Sequence, residues 1–465
     1  MFFRQYELGC LSVFSYMIGD TTSGRAVVID PQRDISAYLE DAAAQDLQIE
    51  RIIETHVHAD FVSGHLELAR ATGATISYGA GVEPDFPTET LVDGQRLDLG
   101  AVVLEVRATP GHTPESISIV VFEHRDDQDP WGVLTGDTLF IGDVGRPDLL
   151  VSAGISAEDL ARKLYHSLHG QLLTLPDATR VFPAHGAGSS CGRSLAAASS
   201  STIGEQRRTN YALQLMTEEA FVTAVTTHQP VAPLYFEFAA IVNRSAHPLL
   251  EDGSTRIPPL RIDEVIQHQL RGAVVVDGRP PQTFASGHLR GSLNVSLDGR
   301  FAEHAGTVIR PDRPIIVVAD AGREVEAKVR LARIGFDGVI GYLPDIDQTL
   351  ADQPHRAARA ARLPVTELAA WIDADDEVQV LDVRNPSEHE AGTIPGASLV
   401  PLPLLLNAIR DLDSARPTVL VCATGNRSSI AASLLRAEGF DEVADVLGGF
   451  QAWTAADLPV VLPRH

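Results

Sequence analysis

Short runs of β-branched and aliphatic residues recur along the first half of the chain, and longer segments with helical patterning separate them. Clear examples are residues 26–29, 102–106 and 132–135. Apolar runs of this length between turn residues are typical of buried strands. Their alternation with helical segments predicts an α/β fold for about the first 245 residues.

The second half contains an internal repeat with a spacing of about a hundred residues. The paired segments are 275–279 with 380–384, 287–292 with 392–397, and 335–337 with 439–441. Each copy alternates short strands with helices, which predicts two homologous α/β domains with parallel sheets. We therefore expect domains at residues 1–245, 260–351 and 362–465. Linkers at 245–259 and 352–364 would join them, and the Ala and Arg content of the second is compatible with a helix.

The charge of the chain narrows the classes of function. With 37 basic and 62 acidic residues, the formal net charge is -25, which argues against binding to nucleic acid or to an anionic membrane surface. No apolar run approaches the roughly 20 residues of a membrane span, and the N-terminus lacks the pattern of a signal peptide. The three cysteines do not suggest a disulfide framework, so we expect a cytoplasmic protein.

Residues of the types that bind metals follow several of the predicted strands. Residues 56–60 read His-x-His-x-Asp directly after an apolar run, and His112, Asp137 and His185 each follow a later strand. Imidazole nitrogens and carboxylate oxygens are ligands that divalent iron, zinc and manganese accept. A single histidine most often satisfies a hydrogen bond, but the whole set predicts a metal site.

These residues, with Gly111 before His112 and Pro183-Ala184 before His185, resemble the metallo-β-lactamase superfamily over about residues 1–245. The resemblance implies an αββα sandwich with its site at the ends of the inner strands. The segment Gly145-Arg146-Pro147-Asp148 resembles the persulfide dioxygenase branch. By this resemblance, one iron(II) ion per chain would be held by His56, His112 and Asp137, with zinc as the alternative. The other three, His58, Asp60 and His185, would orient ligands and substrate or act as alternative ligands.

The chain departs from the superfamily pattern at Phe61, where hydrolase members usually have another histidine. A phenyl ring cannot ligate, and we expect it to fill the position of a second ion, which disfavours two-metal hydrolysis. A mononuclear zinc hydrolase that uses His56, His58 and His112 stays open. The alternative function is therefore a thioester hydrolase that resembles glyoxalase II and carries a sulfur-transfer appendage.

Three further residues of the first half are candidates for either a functional or a structural role. Cys191 follows His185 in a Gly/Ser-rich segment that favours exposure. It is either a small buried hydrophobe or a thiol near the metal that carries or receives sulfane sulfur. Arg146 either binds a carboxylate or sulfonate-like group of substrate or product, or forms a structural salt bridge. Cys10 lies in an early strand-like segment, and a structural role is the favoured interpretation.

A third cysteine, Cys422, follows the apolar strand 419–421 and precedes a helical segment at 430–435. Backbone N–H groups and the helix dipole at such a turn favour an anionic sulfur, and Arg427 adds a full positive charge. The residues between them are candidates for contact with the substrate: Ala423, Thr424, Gly425 and Asn426.

This loop, with its flanking motifs, resembles the rhodanese (sulfurtransferase) family over about residues 362–465. The resemblance implies transfer of sulfane sulfur through a persulfide on Cys422. Dual-specificity phosphatases have a comparable loop, but their Cys-to-Arg spacing is one residue longer. In the first copy of the repeat, Ala319 and Glu324 stand in the places of Cys422 and Arg427. We therefore expect an inactive domain that serves as a spacer, a docking surface or a dimer contact.

The leading hypothesis is a persulfide dioxygenase fused to a rhodanese. It would oxidise glutathione persulfide or a similar small persulfide with O2 to sulfite, and Cys422 would transfer sulfur between thiosulfate, sulfite and a thiol. A third hypothesis is a non-enzymatic sulfur-relay module with a structural metal. The partners expected are small molecules, and the direction of sulfur flow and the oligomeric state stay open.

Overall fold

A computed structural model describes residues 1–193, 195–250, 257–374 and 377–462. The described chain divides into two compact units. The first comprises residues 1–229 and 236–250, and the second comprises residues 230–235 and those from 257 onward. Among the described residues, no helix combines the length and the apolar character needed to cross a membrane.

The described part of the first unit contains two sheets of six strands each. The first sheet follows chain order and is antiparallel up to β3 and parallel from there: β1 (Phe2–Leu8), β2 (Val13–Asp20), β3 (Arg25–Ile29), β4 (Gln48–Ile53), β5 (Thr75–Gly79) and β6 (Glu89–Leu91). The second runs in the order β12-β11-β10-β9-β8-β7 and consists of β7 (Arg96–Asp98), β8 (Val103–Ala108), β9 (Ile117–Phe122), β10 (Gly132–Gly136), β11 (Arg180–Pro183) and β12 (Ser201–Thr202).

The core of this unit lies between the two sheets, where alternating apolar residues such as Ile29 and Leu104 form one cluster. Helices cover the outer faces: α1 (Ser36–Ala44), α2 (His65–Thr72), α3 (Ala157–Ser167), α4 (Ile203–Thr209) and α5 (Glu218–Thr226). A further helix, α6 (Tyr235–Val242), follows along the chain. Helices α1 and α2 pack on the first sheet, and α3 and α5 pack on the second. The αββα sandwich that the resemblance implied is confirmed.

The second unit contains two parallel sheets, one for each copy of the repeat. The first has the order β15-β13-β16-β17 and consists of β13 (Val274–Asp277), β15 (Leu293–Asn294), β16 (Ile315–Val318) and β17 (Val339–Tyr342). The second has the order β19-β23-β22-β20-β21 and consists of β19 (Ala361–Leu363), β20 (Gln379–Asp382), β21 (Ser398–Leu399), β22 (Thr418–Val421) and β23 (Val443–Val446). The prediction of parallel α/β domains is confirmed.

Helices flank both sheets of the second unit: α7 (Ile262–Leu270), α8 (Pro281–Ser286), α9 (Phe301–Val308), α10 (Glu324–Ala332) and α11 (Ile346–Asp352) in the first copy, and α12 (Val365–Asp373), α13 (Pro386–His389), α14 (Leu402–Ala408), α15 (Asn426–Ala437) and α16 (Gly449–Ala455) in the second. Each copy has its own apolar cluster. Side chains also join the copies, since the hydroxyl of Ser433 on α15 accepts a hydrogen bond of 2.9 Å from the backbone N–H of Asn294.

The segment between the two copies differs from the helix that its composition allowed. Past α11 it forms a 3-10 turn at Pro354–Arg356, then β18 (Ala357–Ala358) and β19. Strand β18 pairs with β14 (His288–Leu289), and β19 pairs with β23. Backbone pairing to these distant strands overrides the local helix propensity of Ala and Arg. Residues 251–256 of the first predicted linker and residues 463–465 of the third predicted domain lie outside the described residues.

Candidate functional site

The loops that follow four strands of the first unit bring the predicted metal ligands together. His56 follows β4, His112 follows β8, Asp137 follows β10 and His185 follows β11. Of these, His56, His112 and Asp137 are buried, and each offers a ligand atom within 4.8 Å of the other two. The three residues that the resemblance assigned to the metal therefore form one cluster.

A chain of hydrogen bonds from Asp30 through Thr55 orients the imidazole of His56. The hydroxyl of Thr55 donates to a carboxylate oxygen of Asp30 at 2.9 Å, so it accepts from Nδ1 of His56, also at 2.9 Å. The lone pair of His56 is then on Nε2, which is buried and has no hydrogen-bond partner among the described residues. Burial, reinforced by neighbouring histidines, holds the pKa of His56 well below its usual range, so the ring is neutral and can ligate.

The other two candidate ligands are arranged in the same way. Nδ1 of His112 donates to the carbonyl oxygen of Arg146 at 2.8 Å, which leaves the lone pair on Nε2. Oδ1 of Asp137 accepts from Nδ1 of His185 at 2.6 Å, while Oδ2 is buried without a hydrogen-bond partner among the described residues. Oδ2 lies 3.4 Å from Nε2 of His112 and 3.8 Å from Nε2 of His56.

Three electron-pair donors thus face one another in a buried space with no hydrogen between them. Their lone pairs repel one another, and a buried polar atom without a partner is costly. A cation between the three atoms would remove both costs. Two imidazoles and one carboxylate on one face are the donor set that non-haem iron(II) accepts with coordination positions left open. The residues of the site fit such an ion.

Beside this cluster, His185 links Asp137 to Asp60. Its Nε2 donates to Oδ2 of Asp60 at 2.7 Å while Nδ1 donates to Asp137. Burial disfavours the charged ring, but the two carboxylates outweigh burial and raise the pKa of His185 to about 10. The charged ring therefore fixes which oxygen of Asp137 remains free.

Cys191 lies next to this pair, and its ligand atom is within 4.8 Å of those of Asp60 and His185. The expected exposure was wrong, because Cys191 is 1% exposed. Two hydrogen bonds draw its backbone inward: its carbonyl accepts from the N–H of Arg146 at 3.1 Å, and its N–H donates to the hydroxyl of Ser189 at 3.1 Å. Burial raises the pKa of the Cys191 thiol well above its usual range.

Arg146 forms the salt bridge that was one of its two interpretations. Its guanidinium is 2% exposed and makes a bidentate pair with Asp148, with both N–O distances at 2.7 Å. It also donates to the carbonyl of Ser190 at 3.2 Å. Through its backbone and side chain, Arg146 connects the loop that holds His112 to the segment around Cys191. Cys10, by contrast, lies in the turn between β1 and β2 and not within a strand.

His58 belongs to a separate buried group. Its Nε2 lies 3.0 Å from Asp30 and 3.4 Å from Glu54. Burial disfavours the charged ring, but the two carboxylates raise the pKa of His58 well above its usual range. The ring of Phe61 packs against His58 with their centroids 4.4 Å apart.

Sequence reasoning missed several residues that support these ligands. Asp30, Glu54 and Thr55 are close in sequence to strands but carry no motif. Asn243 follows α6, and its side-chain amide donates to the carbonyls of His58 and Phe61 at 2.8 and 2.7 Å. No local signal in the sequence connects Asn243 with residues that precede it by more than 180 positions.

The second site lies at the carboxyl end of β22, where Cys422 is 1% exposed. The N–H of Gly425 donates to its Sγ at 3.1 Å, and Gly425 has a φ of 98°, which a residue with a side chain rarely adopts. Helix α15 begins at the next residue. Thr424 and Asn426 are exposed at the mouth of this loop.

The positive charge of Arg427 is paired with a carboxylate and is not available to Cys422 alone. Its guanidinium makes a bidentate pair with Glu388, with both N–O distances at 2.7 Å, and the sequence analysis did not identify Glu388. In the first copy of the repeat, β16 ends at Val318 and α10 begins at Glu324, so the loop between them occupies the corresponding position. Ala319 stands there in place of the cysteine.

The chain matches two family models. The model described as the metallo-beta-lactamase superfamily matches residues 8–185, and the model described as the rhodanese-like domain matches residues 262–344 and 364–456.

Proteins similar in sequence to the first half of the chain include persulfide dioxygenases. The bovine mitochondrial persulfide dioxygenase ETHE1 is 32% identical over 238 residues, which are 50% of this chain and 82% of that protein. The human protein of the same name is 31% identical over 235 residues, with the same coverage. A solved structure, a metallo-beta-lactamase from Staphylococcus aureus subsp. aureus COL, is 32% identical with a TM-score of 0.67 and covers 73% of this chain and 98% of its own.

Proposed function

This chain belongs to the persulfide dioxygenase family of the metallo-beta-lactamase superfamily and carries rhodanese-like domains, and we propose that it oxidises a small persulfide and transfers sulfane sulfur. The substrate is glutathione persulfide or a similar small thiol persulfide. The reaction is RSS⁻ + O2 + H2O → RSH + SO3²⁻ + H⁺. The observation that carries this proposal is the convergence of His56, His112 and Asp137, each with one polar atom held and the other free.

When bound to these three residues, iron(II) supplies the redox chemistry with O2 and open positions for the reactants. The chain supplies their orientation. Thr55 and the carbonyl of Arg146 fix the ring planes of the two histidines, and His185 fixes the carboxylate of Asp137. The persulfide is already an anion near neutral pH, so no side chain needs to remove a proton from it.

The second activity proposed is sulfur transfer through Cys422. The thiolate attacks the outer sulfur of thiosulfate and sulfite leaves, so that Cys-S⁻ and S-SO3²⁻ give Cys-S-S⁻ and SO3²⁻. A thiol then accepts the outer sulfur, or the reaction runs in reverse from persulfide and sulfite. The N–H of Gly425 supports the anionic sulfur in either direction. Location in the cytoplasm is part of the proposal, supported by a content of only three cysteines, which does not suggest a disulfide framework.

The dioxygenase is tested by oxygen uptake. Protein loaded anaerobically with iron(II) is mixed with glutathione persulfide, and O2 and sulfite are measured in the same sample. We expect uptake by the wild type and loss of both uptake and bound iron in His112→Ala. Cys10→Ser is the control, because Cys10 lies in a turn outside the cluster. No uptake by iron-loaded wild type would contradict the proposal, and thioester hydrolysis by zinc-loaded protein would then be examined.

The sulfurtransferase is tested by mass spectrometry of the intact protein after incubation with thiosulfate. We expect the addition of one sulfur atom to the wild type and to Cys191→Ser, and no addition to Cys422→Ser. Addition to Cys422→Ser would assign the sulfur to another cysteine and overturn this part of the proposal.

A further inference from the structure

A cleft of about 480 Å³ lies in the second unit, and its lining includes no residue of either proposed site. Residues 417–419, where β22 begins, and residues 440–444, where β23 begins, form one wall at the amino ends of these strands. Cys422 follows the opposite, carboxyl end of β22. The volume falls within the range of small-molecule sites, which is about 300–1,000 Å³.

Three arginines line this cleft: Arg290, Arg359 and Arg436. Within the part of the chain that the structure describes, none of them forms an ion pair with a carboxylate. Asp441 and Glu442 lie on the same wall without pairing to them. An unpaired cluster of three arginines is unexpected in a chain with a net charge of -25, where carboxylates outnumber basic groups.

Arg436, in the last turn of α15, is partly buried, whereas Arg290 and Arg359 are exposed. One of its nitrogens donates to the carbonyl of Val443 at 2.8 Å, while Nε and Nη1 have no acceptor among the described residues. The nearby carboxylate of Asp445 is engaged by Arg362 at 2.9 Å instead. Burial outweighs the attraction of Asp445 and lowers the pKa of Arg436 to about 10. A partly buried cation without a counter-ion is costly, and an anionic ligand would relieve that cost.

Other residues of the cleft indicate what the ligand contains besides charge. Nδ1 of His288 donates to the carbonyl of Phe284 at 2.9 Å, so Nε2 is an acceptor. Trp371 and Phe440 offer aromatic surface on the same walls. Guanidinium groups bind carboxylates and phosphates in bidentate geometry, and aromatic rings cover the apolar or planar part of a ligand.

We propose that this cleft binds a small organic anion with carboxylate or phosphate groups, which reach Arg290, Arg359 and Arg436 while its apolar or planar part lies against Trp371. The feature common to such ligands is a negatively charged oxygen group that the guanidinium groups can bind. A tripeptide thiol such as glutathione supplies it as carboxylates, and a nucleotide supplies it as phosphate. The site is separate from the chemistry proposed for Cys422, so it stands or falls independently of that activity.

The test is hydrogen–deuterium exchange of the full-length holoprotein, measured by mass spectrometry with glutathione, adenosine monophosphate, inorganic phosphate and thiosulfate as separate probes. We expect glutathione or adenosine monophosphate to slow exchange in peptides covering 358–363 and 436–444. Whichever probe acts identifies carboxylate or phosphate as the group bound. The peptide covering 422–428 reports separately on any event at Cys422.

The variant Arg436→Gln should weaken binding of that probe about tenfold, the loss expected for one charge-assisted hydrogen bond. Arg359→Gln, at an exposed position that should tolerate the change, is the second variant, and we expect weaker binding there too. Arg310→Gln is the matched control, because Arg310 is exposed and lies outside the cleft. The proposal is overturned by no protection with either organic probe, by protection with the inorganic anions alone, or by unchanged affinity in both cleft variants.

Discussion

At the scale of single residues, the candidate metal centre depends on hydrogen bonds that select which atom of each ligand is free. Thr55 does this for His56, the carbonyl of Arg146 for His112, and His185 for Asp137. A histidine whose other nitrogen is held by a partner keeps one tautomer and one ring orientation. The free atoms therefore converge before any ion binds.

The variant Thr55→Val tests this orientation directly. It keeps the shape of the side chain but removes the hydroxyl that connects Asp30 to His56. We expect iron affinity to fall about tenfold, the lower end of the range for loss of a partner of a metal-bound histidine. Affinity is measured by competition with a chelator under anaerobic conditions.

The control for this variant is Thr307→Val, which removes a buried hydroxyl that bonds to the carbonyl of Glu303 on α9 in the second unit. It should leave iron affinity unchanged. Equal affinity in wild type and Thr55→Val would contradict a role for Thr55 in orienting His56.

Much of the centre could be predicted at this scale, because His56, His112, Asp137 and His185 each follow a strand and the carboxyl ends of strands meet at one edge. Their partners could not. Thr55 and Glu54 resemble ordinary residues near a strand end, and Asn243 comes from a distant helix end. The burial of Cys191 was also beyond the sequence, because Gly and Ser describe local flexibility and not the hydrogen bonds that draw the segment inward.

At the scale of elements, the two copies of the repeat differ in how they stabilise a buried aspartate at the end of a central strand. Each has an Asp-x-Arg segment at the end of a central strand, with Asp277 paired to Arg279 and Asp382 paired to Arg384. In the second copy the hydroxyl of Thr393 also donates to Asp382 at 2.8 Å. His288 stands at the position of Thr393 in the first copy and bonds to a backbone carbonyl instead.

This difference predicts opposite dependences of stability on pH. Burial raises the pKa of Asp277, and Arg279 only partly offsets burial. Burial acts on Asp382 as well, but His389 at 3.5 Å and hydrogen bonds from Arg384 and Thr393 outweigh burial and lower the pKa of Asp382. A lowered pKa adds stability above the unfolded value of about 3.9 that is lost as pH falls, whereas a raised pKa gives stability at low pH that is lost as pH rises.

Calorimetric unfolding of Asp382→Asn and Asp277→Asn between about pH 3 and pH 6 measures this difference. The destabilisation by Asp382→Asn, relative to wild type, should shrink toward low pH. For Asp277→Asn, the difference in free energy of unfolding between wild type and variant should instead shrink as pH rises. If the destabilisation by the two variants depended on pH in the same direction, the opposite pKa shifts of Asp277 and Asp382 would be contradicted.

The loop that follows β10 permits a prediction about packing. A Cβ on Gly145 would lie 1.8 Å from the carbonyl oxygen of Asp137 and 3.1 Å from Cβ of His112. Gly145→Ala must therefore displace the backbone that carries a ligand. We expect a loss of about 1–3 kcal/mol in stability, as for other overpacked sites, together with loss of bound iron.

Thermal unfolding and the iron content of the purified protein measure these two effects. Gly170→Ala is the matched control, since a Cβ there meets no atom within 4 Å. A Gly145→Ala protein that keeps its iron would show that the loop adapts without moving Asp137.

The parallel strands and the repeat were readable from apolar runs and spacing. The pairing of β18 with β14 and of β19 with β23 was not, because two- and three-residue strands carry no periodicity and depend on their distant partners.

At the scale of the whole molecule, the chain joins a domain of the metallo-beta-lactamase superfamily to rhodanese-like domains. The metallo-beta-lactamase model covers residues 8–185, and the rhodanese-like matches lie at 262–344 and 364–456. Under the proposed function, the sulfite that the first centre forms is a reactant of the second, and joining the two centres on one chain would raise the effective concentration of sulfite.

We predict that the two activities can be lost separately. Cys422→Ser should keep full oxygen uptake with glutathione persulfide and lose the exchange between thiosulfate and sulfite. If the rhodanese consumes the sulfite made by the dioxygenase, the variant will accumulate more sulfite and less thiosulfate than the wild type. Both products are measured by chromatography of the same reactions. Loss of oxygen uptake in Cys422→Ser would contradict separate centres.

The stoichiometry of the reaction decides whether this chain oxidises persulfides, as proposed. Cys422→Ser protein, which cannot recycle sulfite, is loaded with iron(II) and given a limiting amount of glutathione persulfide. We predict that one O2 is consumed, one sulfite is formed and one glutathione is released for each persulfide. Glutathione released without consumption of O2, or O2 consumed without sulfite, would contradict this prediction.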